Sequence, residues 1–155
     1  MDVYWDSIFR YSSSSPEHPY LPDTKAAVYI LGQEYCSLRD REKIRVDIQS
    51  LPWMTYRKGF SPIGSRTGPT SDSGWGCMHR CGQMMLAFCL ERIHLGAGWR
   101  WHLDPTNATY WKILRLFEDR KSALYSIQTI SLMGISEGKP IGQWFGPNTV
   151  AQVLK

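Results

Sequence analysis

The sequence predicts a mostly helical chain that supplies the front part of a larger domain. Three observations predict it. Apolar residues recur at helical spacing in five segments after residue 37, whereas convincing strands are few. A long stretch rich in glycine and proline, residues 59 to 76, leads straight into the longest of those helices. The last segment, NTVAQVLK, stops inside a two-turn apolar stripe of Val150, Val153 and Leu154, without a C-cap and without later elements for it to pack on.

Size and composition bound the rest. A chain of 155 residues is long enough for one domain with a core and too short to favour two. With 43% hydrophobic and 13% aromatic residues it is expected to fold. Four cysteines, at 36, 77, 81 and 89, are too sparse for a disulfide framework, and no 18-residue apolar run suggests a membrane span. MDVYWDSIFRYSSSS lacks the basic and apolar regions of a signal peptide, so a cytoplasmic location is expected. The formal charge of +4 arises from 18 basic and 14 acidic residues mixed along the chain, which argues against nucleic acid as a partner. Trp99-Arg100-Trp101 and Tyr56-Arg57-Lys58 set aromatics beside cations, but neither pattern recurs; both read as core-edge aromatics with snorkelling neighbours.

Residues 1–25 read as a flexible peptide and linker, since SSSSPEHPYLPDT is dense in serine and proline. Residues 26–155 read as the domain itself. AAVYIL forms a short apolar element closed by Gly32. Leu38, Ile44, Ile48 and Leu51, set among charges, mark a solvent-facing helix that Pro52 ends. From Cys77, the residues Cys81, Met84, Met85, Phe88 and Cys89 recur at helical spacing and are expected to face the core. Arg80, Gln83, Glu91 and Arg92 are expected on other faces, and Gly96 and Gly98 mark the stop. Tyr110, Ile113, Leu114 and Phe117 define another helix after Pro105; Ser126 to Ile135 form a third, and Pro147-Asn148 open the last.

The stretch SDSGWGCMHRCGQMM carries the chemistry. Cys77 opens a helix directly behind Gly74-Trp75-Gly76. Unpaired N–H groups and the positive end of the helix dipole favour a thiolate there, and the glycines permit a tight turn and close approach of a substrate chain. Cys81 and Cys89 read as small core residues. No metal site is expected, because the C-x3-C spacing has no second ligand pair, and a redox C-x-x-C is absent. His79 cannot serve Cys77 as a base from the same helix, since two residues rotate the side chains apart by roughly 200°. His18, His94 and His102 read as ordinary residues too. In papain-type enzymes the histidine follows the cysteine by roughly 130 to 150 residues, and here 155 − 77 leaves 78. A base for Cys77 is therefore expected past the last residue.

Four blocks, LPWMTYRKGFSPIG, GPTSDSGWGCMHRCGQMMLA, DRKSALYSI and SEGKPIGQWFGPNTVAQVLK, closely resemble the autophagins, papain-like cysteine endopeptidases of autophagy. The likeness runs from about Tyr29 to Lys155. It implies an α/β, papain-like peptidase fold of which this chain holds the mostly helical N-terminal part. It implies that Cys77 cleaves a ubiquitin-like autophagy modifier after its C-terminal glycine, and that it also hydrolyses the amide joining that glycine to phosphatidylethanolamine. Contact with a membrane surface would then be transient, through the lipidated substrate. No cofactor is implied. Tyr56 matches the family tyrosine beside the oxyanion site, and Trp144 matches the tryptophan that roofs the substrate groove; Gly74, Trp75 and Gly76 line the approach. Papain-type enzymes place an oxyanion glutamine six residues before the cysteine, whereas this chain has Ser71, so that donor comes from elsewhere. The family's catalytic aspartate and histidine, in an Asp-Pro-His motif, fall in the half not represented here, and His79 stands where an apolar residue is common.

Two other readings compete: a catalytically inactive module that binds the modifier, and a helical domain with a redox-active thiol. Near the start, Trp5 and Ile8, three apart and flanked by Asp2 and Asp6, resemble a short motif that docks on the modifier as an added strand. A frayed helix packing on the chain's own core is the alternative there.

Overall fold

The computed structural model describes residues 25–155. Trp5, Ile8, His18 and the serine-proline segment therefore lie outside the described residues. The chain divides into two compact units, one ending at Ile48 and the other running Gln49–Lys155.

In the first unit, β1 (Ala27–Ile30) and β2 (Gln33–Cys36) form an antiparallel hairpin in the register Ala27↔Cys36 to Ile30↔Gln33. Leu31 and Gly32 turn it with φ of 52° and 80°, the paired positive values whose twist suits a two-residue hairpin loop. The apolar run 26–31 thus becomes a strand, while its partner was hidden by Gln33 and Glu34; only Tyr35 in β2 is buried. Helix α1 (Arg41–Gln49) follows, shorter than the 38–51 pattern predicts, with Ile44 buried and Leu38 and Ile48 exposed. The Tyr35 hydroxyl bonds the Asp47 carboxylate and ties β2 to α1.

The second unit begins with irregular chain up to Gly76, interrupted by one antiparallel bridge between Lys58 and Ser71. Helix α2 (Cys77–Leu95) is its longest element. Helix α3 (Ala108–Arg115) is capped by Asn107, whose side chain accepts from the N–H groups of Thr109 and Tyr110. Ser126 caps α4 (Ile127–Met133) through the Thr129 N–H, a 3₁₀ turn follows at Gly134–Glu137, and Pro147 opens α5 (Pro147–Val153). Three apolar clusters hold the unit together. Met54, Ala87, Ile113 and Phe117 join α2 to α3. Phe60, Ile63, Trp75 and Ile127 lie under the shaped loop, and Ile130, Phe145, Val150 and Val153 gather α4 and α5, with Met78 and Leu154 against them.

Two expectations are corrected. The stripe of Val150, Val153 and Leu154 does find partners within the chain, namely Ile130, Phe145 and Met78. The buried face of α2 is also not the apolar one: His79, Arg80, Gly82, Gln83, Ala87 and Glu91 are buried, whereas Cys81, Met85 and Cys89 are exposed, with Ile93 continuing their four-residue row. Hydropathy misplaced this face because Arg80 and Gln83 carry their own partners inward, and a satisfied polar side chain can be buried at modest net cost.

Candidate active site around Cys77

Gly74 and Gly76 shape the turn before α2 for different reasons. Gly74 has φ of 87°, in the left-handed region. At Gly76 a Cβ would stand 2.6 Å from the Asp72 Cβ and 2.9 Å from its carboxylate, so the missing side chain makes room for Asp72. The Asp72 carbonyl accepts from the N–H groups of Trp75 and Gly76, at 3.2 and 2.8 Å. Gly76 is the N-cap and no side chain caps the helix. First-turn N–H groups and the positive dipole end are thereby left at Cys77, the first helical residue.

Three predicted residues meet here. The Trp144 indole N–H donates to the Cys77 sulfur at 2.7 Å, across 67 residues of chain. The Tyr56 hydroxyl is held above its ordinary pKa, first by desolvation and then by the neighbouring Cys77. Trp144 is 55% exposed and Tyr56 53% exposed, so neither is a core aromatic. Cys77 itself is half-buried. Both rings are open to solvent, and the Trp144 ring stands at the sulfur.

Trp75 is placed otherwise. It is buried against Phe60, Ile63 and Ile127, its indole N–H donates to the Ser71 carbonyl at 2.9 Å, and its edge meets the His79 ring. Its side chain is thus withdrawn from the site, and its part is to anchor the turn. His79 is fully buried and its ring centroid lies 3.8 Å from that of Phe145. Burial, reinforced by the Arg80 charge and opposed by Asp72, lowers its pKa to about 4. Among the described residues no histidine bonds the Cys77 sulfur: both His79 ring nitrogens are unpartnered, while His94 and His102 sit at the far end of α2 and just beyond it. No group of three or more candidate metal ligands occurs among the described residues.

Sequence reasoning missed the charged residues beneath the site. Asp72 Oδ1 accepts from the Arg57 backbone N–H at 2.6 Å, and Oδ2 accepts from Arg80 Nε at 2.6 Å. Arg80 also donates to Gln83 and Asp119, Arg57 reaches Asp119 from the other side, and Gln83 donates to the Tyr125 carbonyl at 2.6 Å. The signal was Arg80 and Gln83 at i, i+3, a polar pair that occupies one helix face as an apolar pair would. A second thiol has its own environment: Cys36 is held below its ordinary pKa by the Leu38 N–H first, then by the side chain and N–H of Arg39.

Comparison with known proteins places this arrangement. Residues 41–155 match the Peptidase C54 catalytic domain. The chain is 57% identical over 136 residues to cysteine protease ATG4A of Xenopus laevis, covering 87% of this chain and 34% of that protein. It is 52% identical over 140 residues to cysteine protease ATG4B of Gallus gallus, covering 90% and 35%. Against cysteine protease ATG4A of Homo sapiens it is 50% identical over 156 residues, covering 100% and 38%. The chain spans about a third of the length of the curated relatives it matches. No described helix is long and apolar enough to cross a membrane.

Proposed function

Because the chain belongs to the Peptidase C54 catalytic-domain family, we propose that it carries the nucleophile of a papain-like cysteine endopeptidase acting in the cytoplasm, with residues 26–155 as the N-terminal part of that domain. The substrate is a ubiquitin-like autophagy modifier, cut after its C-terminal glycine in the precursor and released from phosphatidylethanolamine in the lipidated form. The Trp144 indole N–H on the Cys77 sulfur, with Tyr56 neighbouring that residue, is the observation that carries this reading.

The Cys77 thiolate attacks the glycine carbonyl, and its electron pair forms the C–S bond while the carbonyl π pair moves onto oxygen. The Tyr56 hydroxyl and the first-turn N–H groups of α2 supply donors to that oxyanion, a role that Ser71, half-buried and bonded to the Ser73 N–H, does not fill. Collapse breaks the C–N bond, the amine leaves with a proton from a general acid, and water then hydrolyses the thioester. That acid and base are not supplied by the described residues near Cys77. Trp144 and the Gly74–Gly76 turn border the groove, and a narrow roofed groove favours a tail without a Cβ. Trp5 and Ile8 would tether a second modifier from the N-terminal peptide.

A competing role is that of a modifier-binding module without turnover. One experiment addresses both. The chain is incubated with modifier whose terminal glycine bears a vinyl sulfone, and in parallel with uncut precursor, and adducts are mapped by mass spectrometry. An adduct on Cys77, with precursor cleaved at least 1,000-fold more slowly than by a longer relative, is expected for a nucleophile without its base. Adducts on Cys36, Cys81 or Cys89 instead of Cys77 would refute the assignment of the nucleophile.

A further inference from the structure

We infer that a closed ring of four charged residues, Arg57, Asp72, Arg80 and Asp119, is the positioning device that holds Tyr56 beside the turn that opens α2 at Cys77. The inference rests on the reading above that these two side chains belong to the reacting centre. Tyr56 is half exposed and lies in chain without regular structure, so packing of its own ring does not fix it. Its neighbour is fixed instead. The Arg57 N–H donates to Asp72 Oδ1 at 2.6 Å, the Asp72 N–H donates back to the Arg57 carbonyl at 3.2 Å, and Lys58 bridges Ser71.

Asp72 then binds the nucleophile turn from below. Its carbonyl takes the N–H groups of Trp75 and Gly76, the residue before Cys77, and its second carboxylate oxygen takes Arg80 Nε. Arg80 grips Asp119 with two nitrogens, at 2.8 and 3.3 Å, and the Arg57 guanidinium reaches the same carboxylate at 2.9 Å. The ring thus runs Arg57 to Asp72 to Arg80 to Asp119 and back to Arg57. Two arginines and two aspartates leave no net charge, and Asp72 and Arg80 are buried, so both act through the backbone and not on substrate. Tyr56 and Cys77 are each one residue from a point that Asp72 holds. Chain entropy alone would let the Tyr56 segment drift from the helix; the ring removes that freedom.

The test is a double-mutant cycle on the rate at which iodoacetamide alkylates Cys77 in the whole chain at neutral pH, read by mass spectrometry. Tyr56→Phe is expected to slow the parent roughly 3-fold to 10-fold, because a hydroxyl donor to the thiolate is lost. In Asp72→Asn, whose amide cannot accept from both Arg57 and Arg80, the same Tyr56→Phe change is expected to alter the rate less than about 1.5-fold. Arg57→Gln, at the ring's exposed edge, should give a smaller loss of coupling and carries the test if Asp72→Asn fails to fold; Arg57→Lys should restore it. A purely structural role would shift the rates with and without Tyr56 by the same factor. An unchanged Tyr56→Phe factor in the ring variants overturns the positioning role, whereas no effect of Tyr56→Phe in the parent overturns the Tyr56–Cys77 centre on which it rests.

Discussion

The buried face of α2 carries two polar regions that meet burial in opposite ways. Towards its N-terminus, Arg80 is 2% exposed, and Asp72, Asp119 and Gln83 accept the bonds that its guanidinium directs inward. Towards its C-terminus, Glu91 is 5% exposed and its Oε1 has no partner. Desolvation lifts its pKa to about 7, and the nearby Tyr110 hydroxyl, itself buried, is raised by burial first and by Glu91 second. The Trp99 indole N–H, stacked beside Tyr110, is also unpartnered. A buried charge survives where it is paired; elsewhere the group gives up its charge. His79 shows that pairing decides this and position does not. It sits one residue from Arg80, lacks partners, and is held neutral.

The largest loss is expected at Arg80. Arg80→Met leaves Asp72 buried without its cation and Asp119 with Arg57 alone, and a loss of about 3–5 kcal/mol in urea denaturation at pH 7 is expected. A loss under about 1 kcal/mol would mean that the ring contributes little beyond packing.

Glu91→Leu should act in the opposite direction. A carboxyl whose folded pKa is raised from 4.5 to about 7 contributes most below 4.5, and its contribution is lost as pH rises through 7. At pH 8 the ionised, desolvated group costs about 3 kcal/mol, so the substitution should stabilise the chain there by up to that amount and by much less at pH 5. Equal gains at both values would assign the effect to added apolar burial alone.

His79→Leu acts from the acid side, with an effect of about 2–3 kcal/mol. With its folded pKa depressed from 6.5 to about 4, His79 leaves stability intact above 6.5 and removes it as pH falls towards 4. Between about 4.5 and 6.5 the slopes from Glu91 and His79 oppose each other. The parent's melting temperature should therefore be nearly flat across that window, rising with pH in Glu91→Leu and falling with pH in His79→Leu. Parallel profiles in all three proteins would show that neither group titrates across folding.

Much of this was legible in the sequence. Helical periodicity, Pro147 at an N-terminus and the glycine turn before Cys77 are local signals, because helix starts and turns are set by residues within a few positions. Cys77 at the start of α2 follows from Gly74-Trp75-Gly76 alone. β2 was not legible, since a four-residue strand with one buried side chain leaves almost no alternating pattern. The substrate-approach reading of Trp75 gave way because its indole found the Ser71 carbonyl and a core beneath the loop.

Where the chain turns, where its helices begin and which thiol opens the longest of them follow from local residues. Which face of α2 lies inside follows from contacts made across the folded chain. Met85 and Cys89 are more apolar than Arg80 and Gln83, but the free energy of burying a polar side chain depends on whether its partners are present. Those partners, Asp72, Asp119 and the Tyr125 carbonyl, come from segments as far as 42 residues away. The same holds at the sulfur, where Trp144 arrives from 67 residues along the chain; hydropathy is a property of one residue, and pairing is a property of two.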